Sequence, residues 1–302
     1  MTSVGIPRIR RALAAPALMV SALLACAPAW ANPERWQLNM TPGVTQTSVD
    51  VHFLHMIILW ICVVIGLIVF GVMFIAIFRF RKSRGAVPAT WSHSTKLEVA
   101  WTVIPILILI ASAWPATRVL MDMADTSESE MTIKITGYQW KWRYEYVDYF
   151  GRDPGVNFIS SLESESNRVR QLRSGLDPAA VKVGETPTYL LDVDKPLVLP
   201  TGVKVRFVIT ADDVIHSWWV PALGWKQDAI PGIINSTWTR VDHPGVYRGQ
   251  CAELCGKDHG FMPVVVRAVP KAEFEQWLAA QAPAPAEAAT ATTIAPTTAP
   301  QG

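Results

Sequence analysis

The sequence predicts a mixed architecture: a two-helix transmembrane hairpin followed by an all-β Greek-key sandwich. Three observations carry this reading. Two long uncharged apolar runs, residues 56–78 and 99–117, fall in the first 120 residues. Between 131 and 267, short segments alternate apolar and polar residues and are punctuated by Gly and Pro, as antiparallel strands are. Of 302 residues, half are apolar and only 17% are charged, an apolar content high for a soluble protein. The net charge of +2 provides no bulk attraction for nucleic acid, and no nucleic-acid partner is expected.

In chain order, residues 1–31 read as a secretory signal. Arg8, Arg10 and Arg11 precede a short apolar core, and Ala29-Trp30-Ala31 fits a small-x-small cleavage site. A second processing reading stays open: Leu23-Leu24-Ala25-Cys26 resembles a lipobox that would lipidate Cys26. Residues 32–120 form the expected hairpin, with helices at about 53–79 and 98–120. Each apolar run is long enough to span a bilayer. Arg79, Arg81, Lys82, Arg84 and Lys96 crowd the loop between them and place it on the cytoplasmic side. Pro105 and Pro115 are tolerated because neighbouring groups in a membrane bundle satisfy freed carbonyls. Cys62 has no soft companion and reads as a core or lipid-facing residue.

Residues 121–275 form the exported sandwich. Strands are expected over 131–136, 189–193, 203–209, 238–241, 245–248 and 262–267. The run 137–146 alternates aromatic and polar residues, so a strand there puts Trp140, Trp142, Tyr144 and Tyr146 on one face. That face is either buried core or an aromatic platform. Residues 151–185 lack periodicity and read as a surface insertion of unassigned role. The sandwich domain is expected to end at 275 and the tail to run over 276–302; residues 271–280 read as a short amphipathic helix across that boundary, and the Ala-, Pro- and Thr-rich stretch 282–302 as disordered.

One stretch carries the chemistry: Cys251-Ala-Glu-Leu-Cys255-Gly-Lys-Asp-His259-Gly-Phe-Met262, with His216 upstream in Asp212-Asp213-Val-Ile-His-Ser-Trp. Thiolate, thioether and imidazole are soft or borderline donors that suit copper better than calcium or magnesium. The set exceeds the one thiolate, two imidazoles and weak axial sulfur of a blue-copper ion. Two coppers sharing both thiolates would use all of it and leave no open position, which suits electron transfer rather than substrate binding. A Cys251–Cys255 disulfide and a Cys2His2 zinc site remain alternatives. Met262 and the remote His216 favour copper, since zinc seldom takes a thioether and a disulfide needs no imidazole.

The pattern C-x-E-x-C-G-x-x-H-x-F-M, with D-V-I-H-S-W upstream, resembles the CuA site of the cytochrome c oxidase subunit II family. The resemblance runs from about residue 40 to about 275. It implies a cupredoxin fold for the sandwich. It implies one copper held by His216, Cys251, Cys255 and Met262, and a second by Cys251, the Glu253 carbonyl, Cys255 and His259. The Glu253 side chain would ligate Mg or Mn shared with subunit I, as hard oxygen suits. Trp140 would be the electron entry and Asp212 and Asp213 the docking acids for cytochrome c. Lys141 and Arg143 depart from the family pattern beside Trp140. Glu98 would sit at the entrance of a proton path, although the residue alone reads equally as an acid at a helix N-terminus. The implied partners are subunits I and III and cytochrome c. The implied place is the bacterial inner membrane, with the C-terminal domain in the periplasm. The implied function is to accept electrons from cytochrome c and pass them to the haem/copper subunit, where oxygen is reduced to water with proton pumping. Rival readings are a copper-delivery membrane protein and another CuA-type electron-transfer protein.

Overall fold

The computed structural model describes residues 37–41, 43–170, 175–177 and 188–281. The expected signal, Cys26 and the chain from 282 onward lie outside the described residues.

Helix α1 spans Gln46–Arg79, and α2 spans Thr95–Ala124. Both are longer than the apolar runs that announce them. The helix α1 begins before residue 53 because Thr45 and Ser48 form a reciprocal capping box that satisfies its first donors. The cap is also docked on the sandwich: Thr45 Oγ1 donates to Leu223 O at 2.9 Å, and Val44 N donates to Ala222 O at 3.0 Å. The other helix, α2, runs on to Ala124, where Asp122 O accepts from Trp238 Nε1 at 2.8 Å. These polar ends are folded by the domain they touch, which hydropathy does not register. Between the two helices, Cys62 lines an apolar cleft of about 300 Å³ opposite Pro105 and Ser112. Both helices are long and apolar enough to cross a membrane.

The rest is a two-sheet sandwich. Its strands are β1 (Met131–Tyr138), β2 (Lys141–Tyr149), β3 (Val156–Ser160), β4 (Leu197–Pro200), β5 (Val205–Ala211), β6 (His216–Val220), β7 (Trp225–Ala229), β8 (Asn235–Thr239), β9 (Gly245–Cys251) and β10 (Pro263–Val269). One sheet has the order β3-β2-β1-β5-β8, the other β4-β10-β9-β6-β7. The pairs β1/β5 and β10/β4 are parallel, the others antiparallel, so the chain crosses between sheets as a Greek-key, cupredoxin-like sandwich does. Ile133, Ile135, Trp142, Tyr144 and Phe207 from one sheet meet Leu197, Trp218, Tyr247 and Val264 from the other in the core. The Tyr146 hydroxyl joins the sheets, donating to Val198 O at 2.9 Å and accepting from Val198 N at 3.0 Å.

Two expectations need correction. Residues 189–193 are not a strand. Tyr189–Leu191 form a turn with Leu190 at φ +61°, and only Val193 is bridged, to Leu162. Alternation there reflects a half-buried turn. The true strand, β4, follows at Leu197–Pro200; all four residues are buried, so no alternation betrays it. The strands β3, β6 and β7 were likewise not anticipated. Within 151–185 the chain forms β3 and a short helix, α3 (Ser164–Val169), capped by Glu163. Helix α4 spans Lys271–Gln281, with Phe274 fully buried and Trp277 packed 5.3 Å from Tyr146. The expected boundary at 275/276 therefore falls inside a packed helix.

Candidate metal centre

Three parts of the sandwich build the centre. His216 opens β6, Cys251 closes β9, and these strands pair with Trp218 opposite Cys251. The loop 252–262 then carries Cys255, His259 and Met262 before β10 begins. Main-chain hydrogen bonds seat the loop: Ala252 N donates to Ser217 O at 3.0 Å, and Cys251 N to Met262 O at 3.3 Å.

The donor atoms converge. Cys251 Sγ and Cys255 Sγ are 3.9 Å apart. Cys251 Sγ lies 3.9 Å from His216 Nδ1 and 3.4 Å from the Glu253 carbonyl. Cys255 Sγ lies 3.5 Å from His259 Nδ1 and 3.5 Å from Met262 Sδ. Both cysteines are free thiols, far beyond the S–S bond of about 2.05 Å, so this geometry is not the disulfide alternative. Bonds of about 2.0–2.3 Å to one tetrahedral ion leave its ligands about 3.3–3.8 Å apart; the 3.4 and 3.5 Å spacings fall within that range and the two of 3.9 Å lie just above it. His216, Cys251 and Cys255 are buried, with ligand atoms within 4.8 Å of one another.

The two sulfurs differ electrostatically. Burial alone would raise the Cys251 thiol, but hydrogen bonds from His216 and from Ser217 and Glu253 backbone outweigh it and bring it below the ordinary thiol value. Burial first, and the neighbouring Cys251 charge second, push Cys255 up to about 12. The pocket thus eases ionisation of Cys251 and opposes that of Cys255, whereas a bound cation would favour the thiolate form of both. Burial would lower His216, yet its partners Cys251 and Asp213 raise it.

Asp213 is tied to this imidazole. Its Oδ1 accepts from His216 Nε2 at 2.9 Å, and its carboxylate also accepts from Gln139 N at 2.7 Å and Val214 N at 2.6 Å. Burial opposes its ionisation, but these hydrogen bonds hold the carboxyl below the usual range. With Nε2 so engaged, Nδ1 is the nitrogen turned to sulfur. Asp212 is exposed beside it. Glu253 and Leu254 project outward from the loop.

Trp140 lies in the β1–β2 turn, not on the core face. Trp142, Tyr144 and Tyr146 are buried in the sandwich, so the aromatic run divides between core and centre. The Trp140 ring borders Gly256 of the metal loop, and Lys257 Nζ sits 5.1 Å from its centroid. Gln139 Nε2 donates to Cys255 O at 2.9 Å and links this turn to the loop. Gly137 was not anticipated. A Cβ there would lie 2.9 Å from His216 Cδ2, so the His216 ring occupies the space that only glycine leaves. A glycine closing an otherwise regular alternating strand was the available signal. Glu98 is not brought to the centre. It stands in the first turn of α2, whose far end at Ala124 adjoins the sandwich about 40 Å away by helix rise. His243 is exposed, and Asp228 pairs with Ser217 across β6/β7.

Fold and site together define a membrane-anchored, cupredoxin-like protein with a buried cluster of soft donors that could hold a metal. The chain matches the family model for the transmembrane domain of cytochrome c oxidase subunit II over residues 33–119, and that for its periplasmic domain over 131–269. It is 42% identical to the probable cytochrome c oxidase subunit 2 of Rickettsia felis over 83% of this chain and 73% of that protein. It is 36% identical to cytochrome c oxidase subunit 2 of Cereibacter sphaeroides, over 82% of this chain and 81% of that one. The crystal structure of the periplasmic domain of subunit II of cytochrome oxidase from Bradyrhizobium japonicum is 37% identical, covering 52% of this chain and 96% of that domain with a TM-score of 0.41. The chain belongs to the cytochrome c oxidase subunit II family. It is a membrane protein and one subunit of an oxidoreductase assembly.

Proposed function

We propose that this subunit receives single electrons from cytochrome c at a binuclear CuA centre and passes them to the haem/copper subunit, where oxygen is reduced to water and protons are pumped. The observation that carries this reading is the pair of buried thiols 3.9 Å apart, each with its own imidazole and one further donor. One copper takes His216, Cys251, Cys255 and Met262. The other takes Cys251, the Glu253 carbonyl, Cys255 and His259. When bound, the metal pair supplies a one-electron site whose charge is spread over two ions.

The protein's own part is to hold the donors still. Burial excludes water from His216, Cys251 and Cys255, and the strands β6 and β9 fix two of the three. Asp213 locks the His216 ring, while the exposed Asp212 adds negative charge for encounter with a basic donor. Trp140, against the metal loop and half-buried, is the entry point for electrons. The outward Glu253 carboxylate offers hard oxygen to Mg or Mn at a contact with subunit I. Glu98, at the opposite end of α2, admits protons to the catalytic subunit. Subunits I and III are the partners in the bacterial inner membrane, with the sandwich in the periplasm and the basic loop 79–96 in the cytoplasm.

Electron paramagnetic resonance of the full-length chain in detergent, loaded with copper, tests the centre. Hyperfine splitting from two equivalent coppers sharing one unpaired electron is expected. Splitting from a single copper, or a silent zinc form, overturns it.

A further inference from the structure

We propose that the excursion between β3 and β4 braces the metal loop, and that Arg170 is its positioning residue. The inference deepens the copper reading above and rests on it for the nature of the metal.

The excursion is closed at its neck. Ser161 N donates to Asp194 Oδ1 at 2.8 Å, Asp194 N returns to Ser161 O at 3.0 Å, and Glu163 N donates to Asp192 O at 3.0 Å. From this neck two arms reach the metal-bearing elements. Asp192 accepts from Arg248 through Nη2 at 2.9 Å and Nε at 3.1 Å, and Arg248 lies on β9, which ends at Cys251. Arg170, just past α3, places Nη1 3.6 Å from Asp258 Oδ1 and its guanidinium 4.7 Å from the Phe261 ring centroid. Asp258 immediately precedes His259, and Phe261 immediately precedes Met262.

Burial decides that the second arm matters. The side chains of Arg170 and Asp258 are only 16% and 12% exposed, so solvent and salt screen this pair far less than a surface one. Lys257 also approaches Asp258 at 3.6 Å, but it is 55% exposed and belongs to the loop itself. Arg170 instead arrives from a separate part of the chain. Within 256–261 the hydrogen bonds Phe261 N to Asp258 O and His259 N to Gly256 O are local, and the ties to the sandwich described above, Gln139 Nε2 to Cys255 O and Cys251 N to Met262 O, lie at the two ends of this unit. A planar cation clamped between a carboxylate and a ring fixes that unit against α3. Donors held before the metal arrives do not have to be ordered by it.

The test uses the full-length chain in detergent with Arg170→Met, Arg170→Lys and the control Arg168→Met. Arg168 is exposed on the same helix and pairs with Glu165 alone among the described contacts. Copper content of the unaltered chain is measured first; two ions per chain uphold the centre, and fewer would remove the copper reading. Arg170→Met should then lose copper to a chelator about tenfold faster, as loss of outer partners does. Its copper hyperfine lines should broaden. Arg170→Lys should restore part of both, and Arg168→Met should match the parent. Equal release and identical spectra in Arg170→Met and the parent would overturn the brace, as would an equal effect of Arg168→Met. Amide exchange across 256–262 reads the brace independently of copper. Faster exchange in Arg170→Met supports it, and unchanged exchange rejects it.

Discussion

The membrane hairpin and the metal loop use side chains in opposite ways. In α1 and α2 almost every residue between the polar ends is apolar and outward-facing, and no single one carries the element. In 251–262, by contrast, donors on either side of exposed Glu253 and Leu254 are buried, and each has a separate partner. A helix in lipid satisfies its own backbone, so composition suffices. A loop that gathers sulfur and imidazole must borrow order from elsewhere: β6, β9, Gly137, Asp213 and the β1–β2 turn. The hairpin should therefore tolerate substitution broadly, whereas the centre should fail at single positions.

The largest expected effect comes from the sulfurs. Cys251→Ser removes a donor that the two proposed coppers would share, and the chain should keep its fold while losing the binuclear signal. Copper analysis and circular dichroism check the two halves of that statement. A bilayer-facing change such as Leu107→Val should leave both untouched.

Gly137→Ala comes next. The added methyl meets His216 at 2.9 Å, and the ring, held by Asp213, cannot swing away freely. Overpacking of this kind costs about 1–3 kcal/mol. Denaturant unfolding should show that loss together with weaker copper retention; an unchanged midpoint would mean that the ring yields after all.

Asp213→Asn keeps the shape but removes the charge that orients His216. Metal affinity should fall about 10- to 100-fold, the usual effect of losing such a partner. Competition with a chelator measures it. Asp212→Asn, by contrast, should leave affinity unchanged and slow association with a basic donor chiefly at low salt. Stopped-flow reduction across ionic strength separates the two neighbours.

The smallest effect on the centre belongs to the hairpin. Glu98→Gln should slow turnover of the assembled oxidase with no change in the copper spectrum, since about 40 Å of helix separates the two. A shifted spectrum would show that the regions are coupled after all.

Much of this division is legible before folding. The apolar runs mark the spans because lipid demands length and composition only. The donor cluster is legible because soft ligands at close spacing seldom occur by chance, and Cys251, Cys255, His259 and Met262 are brought together with His216. The strands β4 and β6 escape notice because all or nearly all of their residues are buried and do not alternate, β7 because its middle, Lys226-Gln227-Asp228, is a polar run, and the turn at 189–191 misleads because half-burial mimics alternation. Asp213 reads as a docking acid because nothing in Asp-Asp-Val-Ile-His reveals which acid turns toward the ring.

Local chemistry in the chain thus determined that two helices are apolar and long enough to enter a membrane and that the chain carries a set of sulfur and imidazole donors suited to a metal. Both follow from residue type and near-neighbour spacing. Tertiary structure alone decided which acid steers His216, which tryptophan leaves the core for the loop, why residue 137 must lack a side chain, and what Arg170 touches. Those relations join residues far apart in sequence, and only the packing of the two sheets brings their atoms within reach.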